Sequence, residues 1–152
     1  MPDIDMNRKL PRPSGHHSVT PGFSCPDAGR VLEFVQRAFG AEIIERYDGP
    51  NHVVFHAEVR IGDSAVMLGS AQPHFPAMPA MLSVHVETGE AVDRTYARAL
   101  DAGAKSIEAP QNKFYGWRSA CVQDVGGNHW TICTVVEDLT KAEVERRMRE
   151  SK

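Results

Sequence analysis

His56 and Glu58 stand one residue apart in VVFHAEVR, a stretch whose alternation reads as a strand, so their side chains share a face. An imidazole beside a carboxylate can serve as a general-base pair. With Arg60 continuing the alternation, the same residues also read as a solvated strand face. His56, His85 and His129 together offer three imidazoles, enough to hold zinc or iron if they converge. Further on, Phe114, Tyr115 and Trp117 offer ring faces for a planar ligand, and Arg118 a guanidinium for an anionic group. The competing reading is that these rings plug one end of a sheet. Cys121 and Cys133 lie in no nucleophile–base motif. The candidate ligand-binding set is therefore His56, Glu58, His85, Phe114, Trp117 and Arg118, and no catalytic residue is singled out.

Strands and helices must carry these groups, and their order repeats. Val19 to Cys25 reads as a strand, and Asp27 caps a helix with Val31, Phe34, Val35, Ala38 and Phe39 on one face. Gly40 ends that helix. Strands follow over Ile43 to Tyr47, Val53 to Ile61 and Ala65 to Ser70, then a proline-rich linker from Gln72 to Pro79. Leu82 to Glu87 opens a second round, with a helix from Glu90 to Ala102, Gly103 as its cap, and a strand over Lys105 to Glu108. The aromatic loop and a hairpin turning at Asp124 to Asn128 complete it. In both rounds the strand start precedes the capping glycine by 21 residues, Val19 to Gly40 and Leu82 to Gly103. Two βαβββ modules, 19–70 and 81–137, thus form one domain over 19–137. Thr140 and Glu143 make a capping box that opens a charged C-terminal helix within 138–152.

Alternation assigns the strand faces. Val53, Phe55, Ala57, Val59 and Ile61 should pack on a helix, leaving Val54, His56, Glu58 and Arg60 on the other side. Leu82, Val84 and Val86 pack inward, leaving Met81, Ser83, His85 and Glu87. Trp130 and Ile132 belong to the core, leaving His129, Thr131 and Cys133.

Composition excludes several partners. A net charge of −3 and a pI near 6.1 give no electrostatic footprint for nucleic acid or an anionic membrane. No apolar run has the length of a membrane span. Residues 1–18 are polar and proline-broken, unlike a signal peptide; they read as a flexible arm, with His16 and His17 on a solvated tail. Three cysteines without paired spacing point to reduced thiols in a cytoplasm.

The pattern F-Y-G-x-R, a short strand, then D-x-x-G-x-x-W, running from Phe114 to Trp130, resembles the closing hairpin of the glyoxalase/bleomycin-resistance/dioxygenase superfamily, also called the vicinal oxygen chelate fold. Within it the chain is most similar to the PhnB-like proteins, and the resemblance runs from about Val19 to Met148. It implies an α+β fold in which paired βαβββ modules form a curved sheet around a cavity, often across a dimer. Metal enzymes of the superfamily place four His or Glu ligands on four central strands. Matching strand by strand puts Thr20, Met67, Met81 and Thr131 there, and thioethers do not suit hard divalent ions. No metal and no cofactor is therefore expected. The methyltransferase label sometimes attached to the PhnB-like branch finds no glycine-rich strand-to-helix turn here. The expectation is a metal-independent, cytoplasmic homodimer that binds a small molecule, with sequestration or resistance as its simplest activity. One alternative is a metal-dependent lyase or dioxygenase-type enzyme built on the displaced His56, His85 and His129. The other is a structural or regulatory dimer with no ligand.

Overall fold

The computed structural model of the chain describes residues 12, 13 and 15–151, so most of the expected arm over 1–18 lies outside the described residues. A first strand, β1 (Gly22–Cys25), leads into α1 (Ala28–Phe39). The Asp27 carboxylate accepts from Arg30 N–H at 3.3 Å, satisfying one of the donors a helix start leaves unpaired. Val31, Leu32, Phe34, Val35 and Ala38 form its buried stripe. At Gly40 φ is +66°, a left-handed turn that lets Ala41 N–H return to Val35 O at 3.2 Å. The strands β2 (Glu42–Asp48), β3 (Val54–Ile61) and β4 (Ser64–Ser70) complete the first module. The second repeats it with β5 (Met81–His85), α2 (Gly89–Asp101), β6 (Lys105–Asn112), β7 (Trp117–Gln123) and β8 (His129–Val135).

Each module is a four-stranded mixed sheet, ordered β1-β4-β3-β2 and β5-β8-β7-β6. In each, the strand that opens the module runs parallel to the last, and the remaining pairs are antiparallel. This is an α+β glyoxalase-fold arrangement. One core joins the modules: α1 packs on α2, and Trp130 of β8 meets Phe39 of α1 with ring centroids 4.9 Å apart and Phe23 of β1 at 6.2 Å. Ala57, Val59, Val66 and Leu68 face that core from the first sheet, and Ala120, Val122, Trp130 and Ile132 from the second. The helical layer takes one face of each sheet, so the candidate residues on the opposite faces stand away from the shared core.

The strand ends differ from expectation in ways that move side chains. Val19 is exposed, and β1 begins three residues later. In β3, Tyr47 pairs with His56 but Asp48 pairs with Val54, so Phe55 is an extra residue, a β-bulge. The bulge reverses the alternation beyond it. Val54 is 2% exposed and turns inward against α1, whereas Phe55 is 54% exposed and Val53 is exposed too. The helix-facing assignment of Val53 and Phe55 is therefore corrected, and that of Ala57 and Val59 stands. Gly69 of β4 accommodates the kink, since a Cβ there would sit 2.5 Å from the Phe55 carbonyl. In the second module β6 runs on to Asn112 past Pro110, which an edge strand tolerates because its missing N–H faces no neighbour.

A last helix, α3 (Lys141–Glu150), buries none of its residues. The Thr140 hydroxyl accepts from Glu143 N–H at 3.2 Å, as the capping box requires. Arg147 then donates to the Glu137 carboxylate and to the Phe114 carbonyl, tying α3 to the aromatic loop. Among the described residues no helix is long and apolar enough to cross a membrane.

Candidate functional site

His56 and Glu58 share a face of β3, as alternation requires, and His56 Nε2 lies 3.3 Å from Glu58 Oε1. Glu58 is only 9% exposed, which is unusual for a carboxylate. Part of the cover comes from an unexpected quarter. His16, 8% exposed, places Nε2 3.1 Å from Glu58 Oε2. A tight turn holds it there: His16 N–H donates to Pro13 O at 3.2 Å, and Arg12 Nε donates to His16 O at 2.9 Å. The solvated-tail reading of the histidine pair is thus corrected for His16, while His17 is exposed. No pattern in the sequence announced this contact, because the partners are 42 residues apart and the segment has no periodicity.

Beside this cluster opens a cleft of about 700 Å³, bordered by Ser24, Phe55, His56, Met67, Phe75 and Met78. The linker between the modules forms one wall because it is docked on β1. Met78 N–H donates to Ser24 O at 3.0 Å, and Ser24 Oγ donates to Phe75 O at 2.9 Å. Phe75 and Met78 are exposed apolar residues in a polar, proline-rich stretch, a signal that was available in the sequence. Tyr47 of β2 stands near the His56 ring, with centroids 6.4 Å apart. Its hydroxyl bonds to Glu45, whose nearby charge pushes the phenol pKa up.

The other candidates lie on the second sheet. His85 meets Trp117 edge-on at 5.5 Å, and the rings continue through Tyr115 at 6.0 Å to Phe114 at 5.2 Å. Cys133 Sγ sits 3.7 Å from His85 Nδ1 and 3.8 Å from the Val84 carbonyl. Burial pushes the Cys133 and Cys121 thiols up, and Cys25 to about 11, so none is set up as a thiolate nucleophile. Arg118 does not join its neighbours. Trp117 opens β7, so the next side chain points to the opposite sheet face, where Arg118 donates to Asp93 of α2 at 2.9 Å and to Asn112 at 3.1 Å. Its pairing with Trp117 around one ligand is corrected on that ground.

The three histidines do not converge within the chain. His129 is opposite Met81 and His85 opposite Cys133, four residues further along the paired strands, or roughly 13 Å at the usual strand rise. His56 belongs to the other sheet. Among the described residues no three His, Cys, Asp or Glu side chains are grouped to hold a metal ion.

The sequence profile of the Glyoxalase/Bleomycin resistance protein/Dioxygenase superfamily matches residues 16–132. The chain belongs to this superfamily. Its relatives include an uncharacterised protein of Mycobacterium bovis, 28% identical over 140 residues that cover 86% of this chain and 91% of that one. A glyoxalase/bleomycin resistance protein/dioxygenase family enzyme from Burkholderia phytofirmans is 25% identical, with a TM-score of 0.62 over 75% of this chain and 94% of that chain. The PhnB protein from Bacillus cereus shares the fold at 16% identity, with a TM-score of 0.58 over 76% and 98% of the two chains. Of the four residues that the resemblance matches to the superfamily's metal ligands, Thr20 precedes β1 and the other three lie on strands. Met67 lies opposite Glu58 on the first sheet, while Met81 and Thr131 lie on the second. Two hydroxyls and two thioethers do not fit a hard divalent ion.

Proposed function

We propose that the protein is a metal-independent small-molecule binding protein, a cytoplasmic homodimer that holds a planar or amphipathic compound and can act by sequestering it. The observation that carries this reading is the cleft of about 700 Å³ on the first sheet, which Phe55, His56, Met67, Phe75 and Met78 line. Its size is that of a ligand pocket, and its mixture of apolar wall and few polar groups is what such pockets use. Three unpaired cysteines, two of them buried, suit a reducing compartment. In a homodimer the first-sheet face of one protomer can meet the second-sheet face of its partner, setting His85, Trp117 and Phe114 across from His56 and Glu58.

The test is a melting-temperature screen against planar and amphipathic molecules, with elemental analysis of protein purified without chelator. The expected result is at least one stabilising compound whose affinity falls in Phe75→Ser and in Trp117→Ala. The loss should be about 1–3 kcal/mol for one aromatic anchor. Zinc, iron or nickel near one per chain, disappearing in His56→Ala and His85→Ala, would replace this reading with a metal-dependent enzyme.

A further inference from the structure

We propose that His56 is a general base at the wall of the first-sheet cleft, able to take a proton from carbon in a small carbon acid with an apolar body; this rests on the cleft being a small-molecule site. A carboxylate only accepts hydrogen bonds, so the 3.3 Å contact to Glu58 Oε1 requires the proton of the neutral ring on Nε2. That leaves the lone pair on Nδ1. Glu58 is held in turn: it is 9% exposed, and His16 occupies the vicinity of its second oxygen at 3.1 Å. The carboxylate therefore cannot swing into solvent without breaking a packed contact, and it fixes both the tautomer and the tilt of the ring. Glu58 is a positioning residue in the sense of a catalytic triad's carboxylate. The imidazole itself is not sealed off, since its side chain is 35% exposed and lines the cleft.

The surroundings suit proton abstraction better than simple hydrogen bonding. Apolar Phe55, Met67, Phe75 and Met78 border the cleft, and among the described residues no lysine or arginine lines it. The charged or titratable groups near the ring are Glu58 on its own strand, His16 from the preceding turn, Tyr47 on β2 with Glu45 bonded to it, and His74 along the cleft. In such a setting a neutral imidazole removes a proton from carbon next to a carbonyl or comparable group. The C–H electron pair moves into that group, and the proton is then returned to another atom or lost as a leaving group departs. The class of reaction is isomerisation or elimination, and no oxidant or cofactor is needed for its balance.

The probe is 5-nitrobenzisoxazole, a planar carbon acid. The base takes the proton from C3, the C–H pair forms the nitrile, the N–O bond breaks and the phenolate oxygen leaves with its electrons, while the proton passes to solvent. Binding is read separately, from the shift in melting temperature that the probe causes. The wild-type protein should bind it saturably and eliminate it faster than an equal concentration of free imidazole, by about tenfold or more. The elimination rate at neutral pH is the readout. It should drop at least about tenfold in His56→Gln, a change at a partly open position, and persist in His17→Gln, an exposed imidazole. Glu58→Gln should lower kcat with KM held, which a loss of packing alone would not do. Saturable binding with an elimination rate undiminished in His56→Gln would overturn the general base and leave the cleft standing as a binding site. No binding, with a rate no greater than that of imidazole, would overturn both.

Discussion

Asp124 explains why the turn between β7 and β8 ends as D-x-x-G-x-x-W. Its buried carboxylate accepts from Gly126 N–H at 2.8 Å, Asn128 N–H at 3.0 Å, the Asn128 side-chain amide, and Trp130 Nε1–H at 2.8 Å. Oriented dipoles in place of a counter-ion satisfy this charge, and they lock the Trp130 ring where the two modules meet. Trp130→Ala should destabilise the fold by about 3–5 kcal/mol in urea titration, as a large truncation in a core does. Trp130→Phe keeps much of the volume but leaves Asp124 one donor short, at about 1–3 kcal/mol. A Trp130→Ala protein melting within a degree or two of wild type would show that the ring is not in the core. The inward face of Trp130 was legible in the sequence, since alternation with Ile132 demanded it. Alternation also held the answer for Arg118, once Trp117 is taken as the first residue of a strand instead of the last of a loop. The burial of His16 was not legible, because it depends on a tertiary contact between a segment without pattern and a strand face.

At the scale of elements, the helix caps, the repeated module and the closing hairpin could all be read from the chain because each is a local device. The Phe55 bulge could not. Val53 to Ile61 alternates without a break in the sequence, and only the mismatch in pairing with β2 shows where one residue is extra. β2 and β6, one outer strand of each sheet, both carry such register shifts, which roughen two of the four sheet edges. The C-terminal helix supplies a test of a different kind, because ion pairs rather than buried side chains hold it. Hydrogen bonds from Arg146 and then Arg147 bring the Glu143 pKa from 4.5 down to about 2, and Arg147 lowers that of Glu137 in the same way. A depressed carboxylate pKa stabilises the paired state fully above the ordinary value of 4.5 and loses that contribution as pH falls through the folded value. Amide exchange should therefore show α3 opening before the sheets as pH falls from about 4.5 toward 2, with a small amplitude, since exposed pairs are screened. Arg147→Ala should produce the same early opening at neutral pH. Exchange in α3 that stays as slow as in β8 under either condition would mean that something other than these pairs docks the helix.

For the whole molecule, the decisive fact is where the apolar surface is left. Both module helices lie in a shared core, so the opposite faces of the two sheets receive no helix of their own. Met81 is 86% exposed, and Phe55, Phe75, Met78 and Tyr47 are exposed with it, on or beside those faces. Apolar residues grouped in this way on a small protein mark a surface that meets something. The faces that the helices leave uncovered are where we expect two copies to mate. A second copy offers both faces at once, and a two-fold operator would apply each contact twice, which favours a closed dimer over a chain of molecules. A stable interface needs to remove about 1,200–2,000 Å² from solvent. Sedimentation at micromolar concentration should then give a mass twice that of the 16.8 kDa chain. Met81→Glu would set a charge on the exposed side of β5 while leaving the shared core untouched. It should shift the protein toward monomer without unfolding it, and it should weaken any ligand whose site spans both protomers. A wild-type protein that sediments as a monomer throughout would remove the inter-chain site, leaving His85 and Trp117 without a route to His56.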